Sequence, residues 1–217
     1  MNNVMIRVSA LILISSLAWS SLIAWGAHTN ANSSNALFQF HPPLMAFGFL
    51  VFMTSGLLSI INKKCKLLHS IFQIIASICV LTGVIVVMIA KTKNNEIHFQ
   101  SAHAAIGLLA FIGVLYQCVL GFLKYSGNTG RYRSHGLIGI ATYTFGISAL
   151  LIASATYLCG NIVPSDKPGT YECADADLIG MQYSVTMLIP AVLVVVLYIR
   201  HVAQPRVHYP NVYSSFE

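Results

Sequence analysis

Six apolar segments of about 20 residues each, separated by short polar turns, take up nearly the whole chain and leave few folds open to it. They run Val8–Ala27, His41–Ile61, His69–Ala90, Ala102–Leu123, His135–Leu158 and Leu178–Ile199. A helix of ~20 residues crosses the roughly 30 Å of hydrocarbon in a bilayer. Hydrophobic residues make up 56% of the sequence and charged ones 8%, with a mean hydropathy of +0.73, and a soluble domain of this length could not hide that much apolar surface from water. Backbone amides in lipid must be satisfied within their own segment, so the segments are predicted to be helices. The expected fold is all-α, a single integral membrane domain over residues 1–217 built as a six-helix bundle. Pro190 should kink the last helix, since proline removes a backbone donor and crowds the preceding turn. No segment is left over for a soluble catalytic domain.

Charge orients the bundle. Arg7 precedes the first span, Lys63, Lys64 and Lys66 lie between the second and third, Lys124, Arg131 and Arg133 between the fourth and fifth, and Arg200 and Arg206 after the sixth. All of these fall on one side. The other side carries Lys91, Lys93 and Lys167 among the acids Glu96, Asp166, Glu172, Asp175 and Asp177. By the positive-inside rule both termini are cytoplasmic. The net charge of +6 and pI near 9.1 therefore belong to juxtamembrane turns that meet anionic lipid, and nucleic acid is not an expected partner.

The non-cytoplasmic side holds two further signals. Asn32-Ser33-Ser34 is a glycosylation acceptor pattern in the first outer loop. Cys159 and Cys173 lie in or beside the last outer loop, where oxidising conditions would let them pair, whereas Cys65 is cytoplasmic and Cys79 and Cys118 lie within spans. The first span also matches a secretory signal pattern behind Arg7, and its cleavage would leave the orientation of the other five unchanged.

Chemistry enters with four histidines. His41, His69, His103 and His135 each stand in the first turns of a separate span, and an ionisable residue inside a span is by default a functional-site candidate. With the amino terminus inside, His41 and His103 enter from the outer face and His69 and His135 from the cytoplasmic face, giving two pairs at two depths. Neutral imidazole is a good ligand for haem iron, and a pair can fill both axial positions, an arrangement suited to passing electrons rather than binding oxygen. Two such haems would form an electron path across the bilayer. Gly107 and Gly139 follow His103 and His135 at the four-residue spacing that shares a helix face, leaving room for a flat macrocycle.

These residues resemble the eukaryotic cytochrome b561 family. The likeness is carried by Phe40-His41-Pro42-Pro43-Leu44-Met45, Lys66-Leu67-Leu68-His69, Ser101-Ala102-His103 with Gly107, and Ser134-His135-Gly136 with Gly139. The resemblance implies that the central four helices hold two b-type haems, the outer through His41 and His103, the cytoplasmic through His69 and His135. It also implies a homodimer that takes electrons from cytoplasmic ascorbate and delivers them to monodehydroascorbate or a ferric chelate.

An anionic donor needs cations beside the inner pair, and Lys66 and Arg133, with Lys63, Lys64 and Arg131, are the expected contacts. On the outer side His98, five residues before His103, is the candidate acceptor contact. His28, His201 and His208 receive no role. Chain ends such as Tyr209-Pro210-Asn211-Val212 look like endosomal sorting signals, so plasma and endolysosomal or other vesicle membranes are both expected locations. A transporter or structural multi-span protein with histidines along a proton or metal path is the other class that ionisable residues in spans allow. Such a path needs groups at mid-depth, and these four histidines sit at the two surfaces.

Overall fold

The computed structural model describes residues 3–29, 36–62, 66–95, 97–126, 134–157, 162–164, 171–173 and 178–203. Six helices long and apolar enough to span a membrane account for most of them. They are α1 (Asn3–Thr29), α2 (Phe38–Ile61), α3 (Lys66–Lys93), α4 (Ala102–Tyr125), α5 (His135–Tyr157) and α6 (Leu178–Ala203). The all-α expectation holds for every span. In the last connection two short strands, β1 (Ile162–Pro164) and β2 (Tyr171–Cys173), pair antiparallel with Ile162 opposite Cys173. The hydropathy pattern gave no sign of this pairing, because strands of three residues are too short to show an alternation.

Several helices outrun their apolar segments. α1 starts at Asn3 rather than Val8, and α6 continues to Ala203. Apolarity marks where lipid begins, whereas a helix ends where its backbone bonds find other partners. α4 illustrates a defined start: the Ser101 hydroxyl caps it by accepting from the Ala104 amide at 3.1 Å. α6 runs through Pro190 without interruption.

α2 is not a uniform helix. It opens with a 3-10 turn at Phe38–Phe40, becomes α-helical over His41–Ala46, widens to a π-helix over Phe47–Met53 and returns to α over Thr54–Ile61. Pro42 and Pro43 fall in the first α-helical turn, where the missing amide hydrogens cost nothing. Inside the widened stretch the Thr54 hydroxyl donates to the Phe49 carbonyl at 3.2 Å.

α2 is also the helix the others surround. In its apolar window 72% of residues are buried, against 17% for α3 and for α4, so α2 forms the core and the others face lipid. Ala46, Phe49, Leu50 and Met53 of α2 pack with Ala76 and Val80 of α3, Val114 of α4, Tyr143 and Ile147 of α5, and Met187 and Val194 of α6. Ile71, Ile74, Ile78 and Ile85 of α3 and Leu109, Ile112 and Leu115 of α4 point outward, as expected when lipid is as apolar as the core. Two polar ties join helices, one at mid-bundle and one at the end of α2. The Tyr143 and Thr54 hydroxyls meet at 3.0 Å between α5 and α2, and Asn62 donates to the Ser9 hydroxyl at 2.9 Å between α2 and α1.

Candidate functional site

The fold brings the four histidines together two by two. His41 at the start of α2 faces His103 at the start of α4, and His69 in the first turn of α3 faces His135 at the start of α5. In both pairs the ring centroids are 6.3 Å apart and the planes cross at 87°. Two imidazoles on opposite sides of one metal, each at a bond of about 2 Å, place their centroids roughly 6 Å apart. α2 and α4 begin at one end of the bundle, α3 and α5 at the other.

The main chain aims three of the rings. His41 Nδ1 lies 3.0 Å from the Gly83 carbonyl oxygen, His69 Nδ1 2.9 Å from that of Gly56, and His103 Nδ1 2.8 Å from that of Ala149. A carbonyl can only accept, so Nδ1 carries the proton and Nε2 keeps its lone pair for a metal. Two of these carbonyls belong to closely packed glycines: a Cβ on Gly83 would stand 2.8 Å from Met45 Cε, and one on Gly56 2.6 Å from Gln73 Nε2. His135 differs, for its Nδ1 is buried with no hydrogen-bond partner among the described residues.

These features fit a haem better than a bare metal ion. Among the described residues no three histidine, cysteine or acidic side chains gather where they could hold an ion. A porphyrin supplies its own four nitrogens, so a pair of histidines is the complete protein contribution. Gly107 leaves the space beside His103 open, its nearest neighbour being Ala149 Cβ at 4.0 Å. At Gly139 the Gln117 carboxamide is the neighbour, Oε1 3.5 Å from where a Cβ would stand, an ordinary contact distance.

The other expected site residues divide by position. Lys66 is described and exposed, at the start of α3 one turn before His69. Lys63, Lys64, Arg131, Arg133, Asn32 and Cys159 lie outside the described residues, and of Cys173 only the backbone in β2 is described, so the proposed disulfide is not visible. The described free cysteines are Cys79 and Cys118. His98 sits in the turn before α4, its Nε2 3.4 Å from the Thr92 hydroxyl and its Nδ1 buried without a partner among the described residues. Its neighbours Asn95 (φ 55°) and Phe99 (φ 60°) hold left-handed backbone, which side chains other than glycine adopt at a cost.

One candidate contact was not among those expected from the sequence, where Lys124 served only to orient the bundle. Lys124 stands in the last turn of α4, at the end of the bundle where α3 and α5 begin with His69 and His135. It could have been found by noting that an antiparallel neighbour must end where His135 begins. The carbonyls of Gly56, Gly83 and Ala149 leave no sequence signal of their own.

Comparison with known proteins agrees with this framework. Transmembrane reductase CYB561D2 of Homo sapiens is 29% identical over 140 residues, covering 56% of this chain and 63% of that protein. Transmembrane ascorbate ferrireductase 1 of Arabidopsis thaliana is 26% identical over 159 residues, 65% of this chain and 64% of that protein. Transmembrane ascorbate-dependent reductase CYB561 of Mus musculus is 26% identical over 148 residues, 62% and 58% respectively. The chain thus spans less than two thirds of the length of the relatives it matches. Residues 40–163, which include all four histidines, match the profile of eukaryotic cytochrome b561. With more than half its length so matched, this multi-pass, all-helical chain belongs to the eukaryotic cytochrome b561 family.

Proposed function

We propose that this protein is a transmembrane oxidoreductase that takes electrons from cytoplasmic ascorbate and passes them, through one b-type haem at each histidine pair, to monodehydroascorbate or a ferric chelate on the other side. The observation that carries this reading is the repetition of one geometry, two rings 6.3 Å apart at 87°, at both ends of the bundle. A bound b-type haem supplies a one-electron ferric/ferrous couple. Relatives whose names include ascorbate-dependent reductase and ascorbate ferrireductase support the donor and acceptor classes.

The residues of this chain do the rest. His41 and His103 would hold the outer haem and His69 and His135 the cytoplasmic one, the Nδ1–H of His41, His69 and His103 being fixed by carbonyls so that Nε2 keeps its lone pair. Lys66 and Lys124, joined by Lys63, Lys64, Arg131 and Arg133 from the adjoining turns, attract the ascorbate monoanion and favour its ionised form as an electron leaves it. The ascorbate monoanion loses one electron and releases one proton to cytoplasmic water, becoming monodehydroascorbate; on the other side a ferric chelate gains one electron, or monodehydroascorbate gains one electron and a proton from water. His98 offers an imidazole to that acceptor beside the outer pair. The same basic turns set both termini in the cytoplasm. A homodimer in plasma or endolysosomal membrane completes the proposal, with lipid as the surrounding partner.

Reconstituted vesicles test it. Ascorbate trapped on the Lys66 side should reduce the haems and then a ferric chelate outside, with ferrous iron appearing in step. A colourless protein, or iron reduction that does not require trapped ascorbate, would contradict the proposal.

A further inference from the structure

The carbonyl supports of the histidines follow a rule that one position breaks. α2 and α3 run antiparallel, and the contact of His41 with the Gly83 carbonyl is answered by that of His69 with Gly56, fifteen residues along α2 and fourteen back along α3. Each helix of the hairpin thus supports the other's histidine, always from a small residue. α4 and α5 begin in the same way, with His103 on the Ala149 carbonyl. Fourteen residues along α4 and fourteen back along α5 lead to Gln117 and His135.

At that point the small residue is replaced by a long polar one. His135 Nδ1 and Gln117 Nε2 are both buried, and neither has a hydrogen-bond partner among the described residues. The two side chains share one seam. Gln117 lies over Gly139, one turn beyond His135, while His135 Cε1 lies 3.9 Å from where a Cβ on Gly121, one turn beyond Gln117, would stand. An unmet buried donor is costly, and a histidine bound to metal through Nε2 carries its proton on Nδ1 and needs an acceptor there. A carboxamide has both a donor and an acceptor, and its two ends are nearly equal in shape, so it can turn either one toward a neighbour.

We propose that Gln117 is the positioning residue for His135, its carboxamide oxygen accepting the Nδ1–H that the main chain accepts at the other three histidines. This rests on the reading of the four histidines as haem ligands. Three ligands are then held by carbonyls that no side-chain change removes, and the fourth by a side chain. The haem of the His69–His135 pair is accordingly the one whose properties residue 117 sets. A stronger acceptor draws the Nδ1 proton away, makes the ligand more basic and favours ferric iron, and a missing acceptor does the reverse.

Potentiometric titration of the purified, haem-loaded protein, with low-spin electron paramagnetic resonance of each haem, tests this in Gln117→Met and Gln117→Glu. The expected result is a midpoint potential of the His69–His135 haem that rises in the Met variant and falls in the Glu variant, with a shifted resonance for that haem alone. Haem retention at this site should fall about 10- to 100-fold in the Met variant. Unchanged potentials in both variants, or shifts in the same direction, would mean that Gln117 only packs and would overturn the inference. If the Met variant does not fold, the Glu variant decides alone, since a lowered potential supports the assignment and an unchanged one overturns it. A chain that binds no haem even without substitution would refute the proposed function instead, so the two failures are distinguishable.

Discussion

The two ends of the bundle present histidine pairs that match in separation and angle and differ in what supports them. At the His41–His103 end both rings donate to carbonyls, of Gly83 and Ala149. At the His69–His135 end one ring donates to the Gly56 carbonyl, the other has no main-chain acceptor among the described residues, and Lys124 stands in the last turn of the neighbouring α4. Identical pair geometry on unequal supports separates two demands. On the proposed function, holding an iron would fix the rings, whereas meeting an anionic donor would fix the charge around them.

The largest expected effect comes from removing a ligand on one side only. His69→Ala or His135→Ala should abolish reduction by ascorbate supplied at that end, measured by stopped-flow absorbance. His41→Ala or His103→Ala should leave the fast reduction of the remaining haem intact and block transfer to a ferric chelate. Equal loss of ascorbate reduction in all four would erase the functional difference between the ends.

Between the pairs the bundle is packed tightly, and beside His103 it is open. A Cβ on Gly146 would run into the Phe49 ring, whereas one on Gly107 would meet only Ala149 Cβ at 4.0 Å. Gly146→Ala should therefore destabilise the detergent-solubilised protein by about 1–3 kcal/mol, and Gly107→Ala should leave its thermal midpoint within error. A tolerated Gly146→Ala would show that the middle layer gives more easily than the packing implies.

Much of this arrangement was legible in the sequence, because lipid imposes long apolar runs and histidines are conspicuous within them. The two pairs followed from topology alone, since His41 and His103 enter from one face and His69 and His135 from the other. The widening of α2 over Phe47–Met53 was not legible, for Phe-Gly-Phe-Leu-Val-Phe-Met reads as an ordinary apolar helix. Nor were the supports of the rings, because a main-chain carbonyl has the same chemistry at every residue and only the helix register selects Gly56, Gly83 and Ala149. The contact of Gln117 with Gly139 was not legible either, since it depends on how α4 and α5 meet.

A smaller effect belongs to the Tyr143–Thr54 hydrogen bond at mid-depth. Tyr143→Phe should cost about 1 kcal/mol of stability, because Thr54 keeps its bond to the Phe49 carbonyl, and it should leave both haem spectra unchanged. A spectral change at either haem would show that the two ends communicate through this layer.

The smallest effect tests charge. Lys124→Gln should raise the ascorbate concentration needed for half-maximal reduction a few-fold at low salt and less at high salt, where screening already weakens the attraction. A change that is independent of salt would assign Lys124 to packing rather than steering.

Haem content per polypeptide in paired substitutions measures the central claim most directly. The unsubstituted protein should carry two b-type haems. His41→Ala combined with His103→Ala, or His69→Ala combined with His135→Ala, should leave one, while His41→Ala combined with His135→Ala should leave none. One haem retained in that cross-pair variant, or none retained in either within-pair variant, would contradict the account that each end of the bundle holds its own haem through its own two histidines.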